Sequence, residues 1–235
     1  MTSTLPAWVS ITAPGIQTWH TVRAAGGRRR GPCGDHAFAL RLRTGRTAVV
    51  LIDVAGHGPA CGPTSSALGE LISSSLDRDA SPAVALGCAD AWLRTSDAKM
   101  PYAVAFVGVF HPTHQTVVYA SAGHDCAFVL NDDGRVQHLA PTTPMLGIPV
   151  ALYPCDAVLR MEPHETLVLA TDGVADSRPA ESIDFFGTTG TARAVAQSLR
   201  AGGNPALDLL ASARAHAGGR QVDDAGIMIA RIAPL

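Results

Sequence analysis

Lysine is nearly missing from this chain. Among 235 residues only Lys99 is one, and arginine supplies the rest of the 18 basic side chains. Set against 20 Asp and Glu, they leave a formal net charge of −2. That balance gives no electrostatic case for a nucleic acid or an anionic membrane surface as partner. No apolar run reaches the roughly 20 residues that span a bilayer, and the opening MTSTLPAWVS lacks the basic and apolar regions of a signal peptide. Cysteine is also sparse, five residues without regular spacing. This fits reduced thiols, small buried apolar residues in a cytoplasmic protein, better than a disulfide framework. Repeats, low-complexity tracts and Ser/Pro/Gly linkers are absent as well. With 47% hydrophobic residues, the length suits one generous domain over 1–235 and leaves no room for a separate sensor domain.

What is present falls into groups. Residues 8–12 and 18–24 read as short strands, and AAGGRRRGPCG as a polar loop. DHAFALRLR alternates apolar and polar side chains, while TAVVLIDV is continuously apolar; with TGR between them they form a hairpin. Helical spacing of Leu68, Leu71, Ile72 and Leu76 predicts a helix over 59–77 that starts at Pro59. Pro82 suits the first turn of a second helix towards Thr95. YAVAFVGVF, TVVYASAG and CAFVLN are strands, joined by HPTHQ and followed by the hairpin turn NDDGR. ETLVLATDG is another apolar strand, two helices follow over about 191–200 and 205–217, and DDAGIMIARI closes as a strand. Strands and helices occurring in blocks predict two central sheets with helical layers outside, not a doubly wound sheet.

Four acidic positions share one design. Asp53 follows VVLI, Asp172 follows LVLAT, Asp223 and Asp224 precede AGIMIARI, and Asp35 precedes HAFALRLR. Each alone is ordinary, since Asp before Gly is a common turn signal. Together they describe carboxylates at the ends of buried strands, costly without cations or good donors. Carboxylates converging on one sheet edge repel unless divalent metal neutralises them, and an all-oxygen set suits Mg²⁺ or Mn²⁺ over zinc. Gly56 and Gly58 permit tight curvature beside Asp53, so nearby carbonyls can face an ion.

CGDHAF, IDVAGHG, YAVAFVGVF, YASAGH, LGIPV, LATDGVADS and VDDAGIMIARI occur in an order that resembles the SpoIIE-type branch of the metal-dependent type-2C protein phosphatases, from about residue 33 to 232. The resemblance implies a four-layer αββα sandwich, two Mn²⁺ or Mg²⁺ ions, and hydrolysis of phosphoserine or phosphothreonine by a metal-activated water. It implies that Asp35, Asp53, the carbonyl of Val54, Asp172 and Asp223 hold metal, with Asp53 bridging both ions. Asp224 is then a neighbour that binds metal or orients a water, and its loss is expected to be the milder one. Two positions depart from the family pattern: Cys33 replaces a glycine before Gly34-Asp35, and Gly226 replaces a threonine, removing a supporting hydroxyl. A lone domain of this size resembles the stand-alone feedback phosphatases of bacterial stress signalling, whose implied partner is a phosphorylated STAS-domain regulator. A catalytically weak module that only captures phosphorylated partners is the alternative.

Other residues are less specific. His57, beside Asp53, can protonate a leaving oxygen or simply support its turn. His124 in SAGH reads as structural before catalytic, and His36, alternating with Asp35, points away from the acids. Arg28–Arg30 are a solvated loop face or an anchor for phosphate.

Overall fold

The computed structural model describes residues 9–13, 15–27, 33–97 and 102–233. The loop arginines Arg28–Arg30 lie outside them. The elements in chain order are strands β1 (Val9–Ala13), β2 (Ile16–Arg23), β3 (Asp35–Arg41) and β4 (Thr47–Val54), then helices α1 (Gly62–Asp77) and α2 (Pro82–Thr95). Strands β5 (Ala103–His111), β6 (Thr116–Ala122), β7 (Ala127–Leu130), β8 (Val136–His138), β9 (Ala157–Arg160) and β10 (Thr166–Ala170) form the middle. Helices α3 (Asp172–Ala175), α4 (Gly187–Arg200) and α5 (Pro205–His216) and strand β11 (Ala225–Ile232) complete it.

The strands form two sheets, ordered β1-β2-β11-β10-β7-β8 and β3-β4-β5-β6-β9. All nine strand pairs among the described residues are antiparallel. The continuous apolar run of β4 now has its cause. Val49 and Leu51 face the other sheet, meeting Phe106, Leu167, Leu169 and Met228. Val50 and Ile52 face the opposite way, against Leu68 and Ile72 of α1 and Leu86 of α2. A strand buried on both faces has no polar alternation to show. Across the second sheet, Val168, Ile227 and Ile229 pack on Val195 of α4 and Leu209 of α5. Three apolar layers therefore separate four layers of structure, the αββα sandwich expected from the element order.

Several local expectations need correction. Helix α1 starts at Gly62, not Pro59; Cys61 and Gly62 close turns onto Gly58 and Pro59, and Pro63 occupies the first turn. The first turn of α4, GTTG, carries no apolar period, so this helix begins four residues before the periodic pattern does. Strand β9 is a short edge strand with Val158 exposed, and it too lacks the alternation that announces a strand. Cys33 and Cys61 are buried free thiols, but Cys88 and Cys155 are exposed. No described helix is long and apolar enough to cross a membrane.

Candidate metal centre

Asp35 and Asp53 are direct cross-strand partners in the β3–β4 register. Opposed residues share a sheet face with Cβ atoms about 4.5–5.5 Å apart. Counting back by twos from Asp53 gives Leu51 and Val49, both in the central layer, so this pair points between the sheets at their open end. The second sheet brings its acids to the same end by the same period. Leu167 and Leu169 of β10 face inward, placing Thr171 inward and Asp172 at the start of α3. Met228 and Ala230 of β11 face inward, placing Gly226 and Asp224 inward and Asp223 beside them.

Electrostatics shows how tightly these groups are gathered. Asp53 is pushed up to about 7 by burial and by the charges of Asp172 and Asp223. Asp35 is raised well above the usual carboxylate range by burial and by Asp53, against the hydrogen bond from Thr171. Asp172 is raised by burial and then Asp223. Among the described residues no three Asp, Glu, His or Cys side chains meet as a ready-made coordination sphere. The donor set nevertheless fits hard divalent cations. It is all oxygen, and its surplus of mutually repelling charge is what such cations neutralise.

Asp224 has a different environment from the others. It is buried, and its Oδ1 accepts a hydrogen bond from the Ala25 N–H at 2.7 Å. Its Oδ2 accepts from Gly34 at 2.7 Å and Gly58 at 2.9 Å. One carboxylate thus ties together the end of β2, the residue before Asp35, and the glycine loop after Asp53. Its own N–H donates to Asp223 Oδ1 at 2.8 Å. Gly56 and Gly58 hold φ of 95° and 79°, the left-handed conformations that let this loop turn its amide inward.

The backbone of Gly226 is held by a neighbouring hydroxyl. Thr171 Oγ1 donates to Asp35 Oδ2 at 2.7 Å and accepts from the Gly226 N–H at 2.9 Å. A Cβ at Gly226 would stand 3.0 Å from that same Asp35 oxygen and 3.2 Å from Thr171 Cγ2, so the space is already used. Thr171 continues the inward alternation Leu167, Leu169, Thr171, the signal in the sequence that points to it. The glycine of TDG also has a cause: a Cβ on Gly173 would overlap the carbonyl oxygen of Asp224.

A cavity of about 450 Å³ opens over the centre, lined by Asp53, Asp172, Asp223, Tyr102, His124 and Met145 among others. His124 is buried with Nε2 unpartnered, and burial lowers it to about 4. His57 is exposed and is not part of this lining. Val54 is buried, and its N–H donates to the Gly34 carbonyl at 3.2 Å. His36 points to α1, with Nδ1 3.3 Å from the Ser65 carbonyl oxygen, away from the acids.

With this geometry in place, comparison with known proteins is informative. Residues 43–233 match the family model of stage II sporulation protein E (SpoIIE). Protein IcfG of Synechocystis sp. is 36% identical over 87 residues, 37% of this chain and 13% of that protein. The RsbU and RsbW domains of Rv1364c from Mycobacterium tuberculosis superpose with a TM-score of 0.77 at 22% identity, over 95% of this chain and 63% of that one. RsbX in complex with magnesium superposes with a TM-score of 0.68 at 15% identity, over 96% and 100%. The chain thus spans less than two thirds of the first two of these relatives, and the structural likenesses speak for the fold.

Proposed function

Because the chain belongs to the SpoIIE family, we propose that it is a metal-dependent phosphatase acting on phosphoserine or phosphothreonine in a protein. The observation that carries this reading is the set of mutually repelling carboxylates gathered at the open end of the sandwich, from buried Asp35 through partly buried Asp53 and Asp223 to exposed Asp172. Two Mn²⁺ or Mg²⁺ ions would supply an acidified water and a clamp for the phosphoryl oxygens. Asp35, Asp53, Asp172, Asp223 and the carbonyl of Val54 are the groups that would hold them. Asp224, with both oxygens taken by backbone amides, positions the segments that carry Asp35 and Asp53. Thr171 fixes Asp35.

The proposed substrate is a phosphorylated STAS-domain regulator of a bacterial stress-signalling pathway, a reading supported by the fold shared with RsbX and an RsbU domain. The cytoplasm is the proposed location, which the five free cysteines support. The alternative, a module that only captures phosphorylated partners, rests on the threonine hydroxyl absent at Gly226, whereas carboxylates kept at all four sites favour turnover. The test is hydrolysis of p-nitrophenyl phosphate and of a phosphorylated STAS protein, each with Mn²⁺ and with excess chelator. Turnover that needs the metal supports the proposal; binding without turnover under both conditions overturns it.

A further inference from the structure

A second cavity, of about 360 Å³, shares Asp172 and Asp223 with the metal centre and is also lined by Arg178 and Arg220. We propose that these two arginines bind an acidic side chain of the protein substrate, within a few residues of the phosphorylated position. The proposal rests on the phosphatase reading above and assigns that site a preference for acidic flanking sequence.

The two guanidinium groups differ from the five that carboxylates engage. Arg46, Arg94, Arg135, Arg160 and Arg231 each pair with a carboxylate. Arg178 and Arg220 pair with none among the described residues, although Asp176 and Glu181 line the same cavity. Arg178 lies over the ring of Phe185, 4.4 Å from its centroid. Stacking engages the face of the guanidinium and leaves its in-plane N–H donors free, so the group is oriented without being satisfied. Arg220 is placed by its neighbours. Its N–H bonds to Ala217 at the end of α5, and the Gln221 side chain donates to the carbonyls of Arg23 and Ala24. Two exposed planar donors lining one cavity, one stacked on a ring and the other carried on a fixed backbone, match a carboxylate. Because Asp172 and Asp223 line the same cavity, a segment whose phosphoryl group sits at the acids must run past or away from the two arginines. A neighbouring Asp or Glu gives it a reason to run past.

Two phosphopeptides that differ only in flanking residues, Asp and Glu in one and Asn and Gln in the other, provide the test. With Mn²⁺ and at low salt the protein should favour the acidic peptide in kcat/KM by about tenfold, as for solvent-exposed charged contacts, and added salt should erode this preference. The Arg178→Ala/Arg220→Ala double variant should bring the ratio close to one. The Arg178→Lys/Arg220→Lys variant, which keeps charge but loses the planar fork, should fall between; circular dichroism confirms that each variant is folded. Equal hydrolysis of both peptides by the unaltered protein overturns the inference and leaves the phosphatase reading standing. A preference that survives the double alanine variant overturns the assignment to these arginines. Hydrolysis of neither peptide, nor of p-nitrophenyl phosphate, overturns both.

Discussion

Replacing Asp224 with asparagine tests whether the second acid of the pair holds metal or holds the backbone. The side chain keeps its shape but loses a charge and one acceptor. In its better orientation the remaining oxygen keeps the amides of Gly34 and Gly58, and the new NH₂ group faces the Ala25 N–H, donor against donor. One charge-assisted bond is lost and two are weakened, at a cost of about 3 kcal/mol, taking the middle of the range for such bonds. Partial relief comes from removing a charge that raises Asp35, Asp53 and Asp172. That relief vanishes once cations neutralise the cluster, so the loss should be larger with Mn²⁺ than with chelator. Thermal unfolding with saturating Mn²⁺ should show a Tm lower by about 6–12 °C, and Mn²⁺ affinity should fall as Asp35 and the glycine loop lose their anchor. Asp223→Asn, whose only side-chain bond among the described residues is to the Asp224 N–H, should leave unfolding nearly unchanged while removing turnover. A Tm for Asp224→Asn within a degree of the parent, with weakened metal binding, would refute the backbone role and make Asp224 a ligand.

The other predictions concern the same centre. Asp53→Asn should abolish turnover in either substrate assay with its circular dichroism intact; undiminished activity sinks the two-metal reading. Thr171→Val should lower stability by about 1–3 kcal/mol by stranding Asp35 and the Gly226 amide, and Thr171→Ser should restore most of it in urea titrations. Gly173→Ala should fail to fold stably, because the new methyl would overlap the Asp224 carbonyl; a native-like melting curve contradicts the packing. In chelator, Asp53 gives the protein a pH-dependent weakness. Its folded value of about 7 exceeds its ordinary 3.8, so the unfolded chain releases the proton first, and stability falls as pH rises between those values. The full difference is at most about 4 kcal/mol, and Mn²⁺ should therefore raise Tm more at pH 8 than at pH 5.5.

Much of this could be read from periodicity. The unbroken apolar run of β4, the alternation of β3 and the helical spacing in α1 reflect which faces are buried, and burial leaves its mark on composition. The acids were legible because a carboxylate at the end of such a run is unusual. What escaped depends on which segments meet. Nothing near Asp224 in the chain announces that Ala25, Gly34 and Gly58 will donate to it from 166 or more residues away. Thr171 becomes a partner for Asp35 only when the two sheets stack. His57 stands next to Asp53 in sequence yet stays off the cavity, whereas His124, remote in sequence, lines it. Cys88 shows the same limit: a small apolar residue in a helix was assigned to the core, but its face of α2 is solvent-exposed.

The position of β11 has a consequence for how the protein comes into being. This last strand lies inside the six-stranded sheet, bonded to β2 on one side and β10 on the other. Until the ribosome has released residues up to Ile232, β2 has no neighbour on that side, β10 waits at a raw edge, and the central layer is open to water. Asp223 and Asp224 arrive with the same segment, so the acids stay incomplete for as long as the sheet does. A nascent chain therefore has no complete centre, and unpaired strands to shield, until β11 has emerged. Pairing across some 200 residues of sequence makes the closing step slow and exposed to aggregation, which marks the emergence of β11 as the point where chaperones matter most.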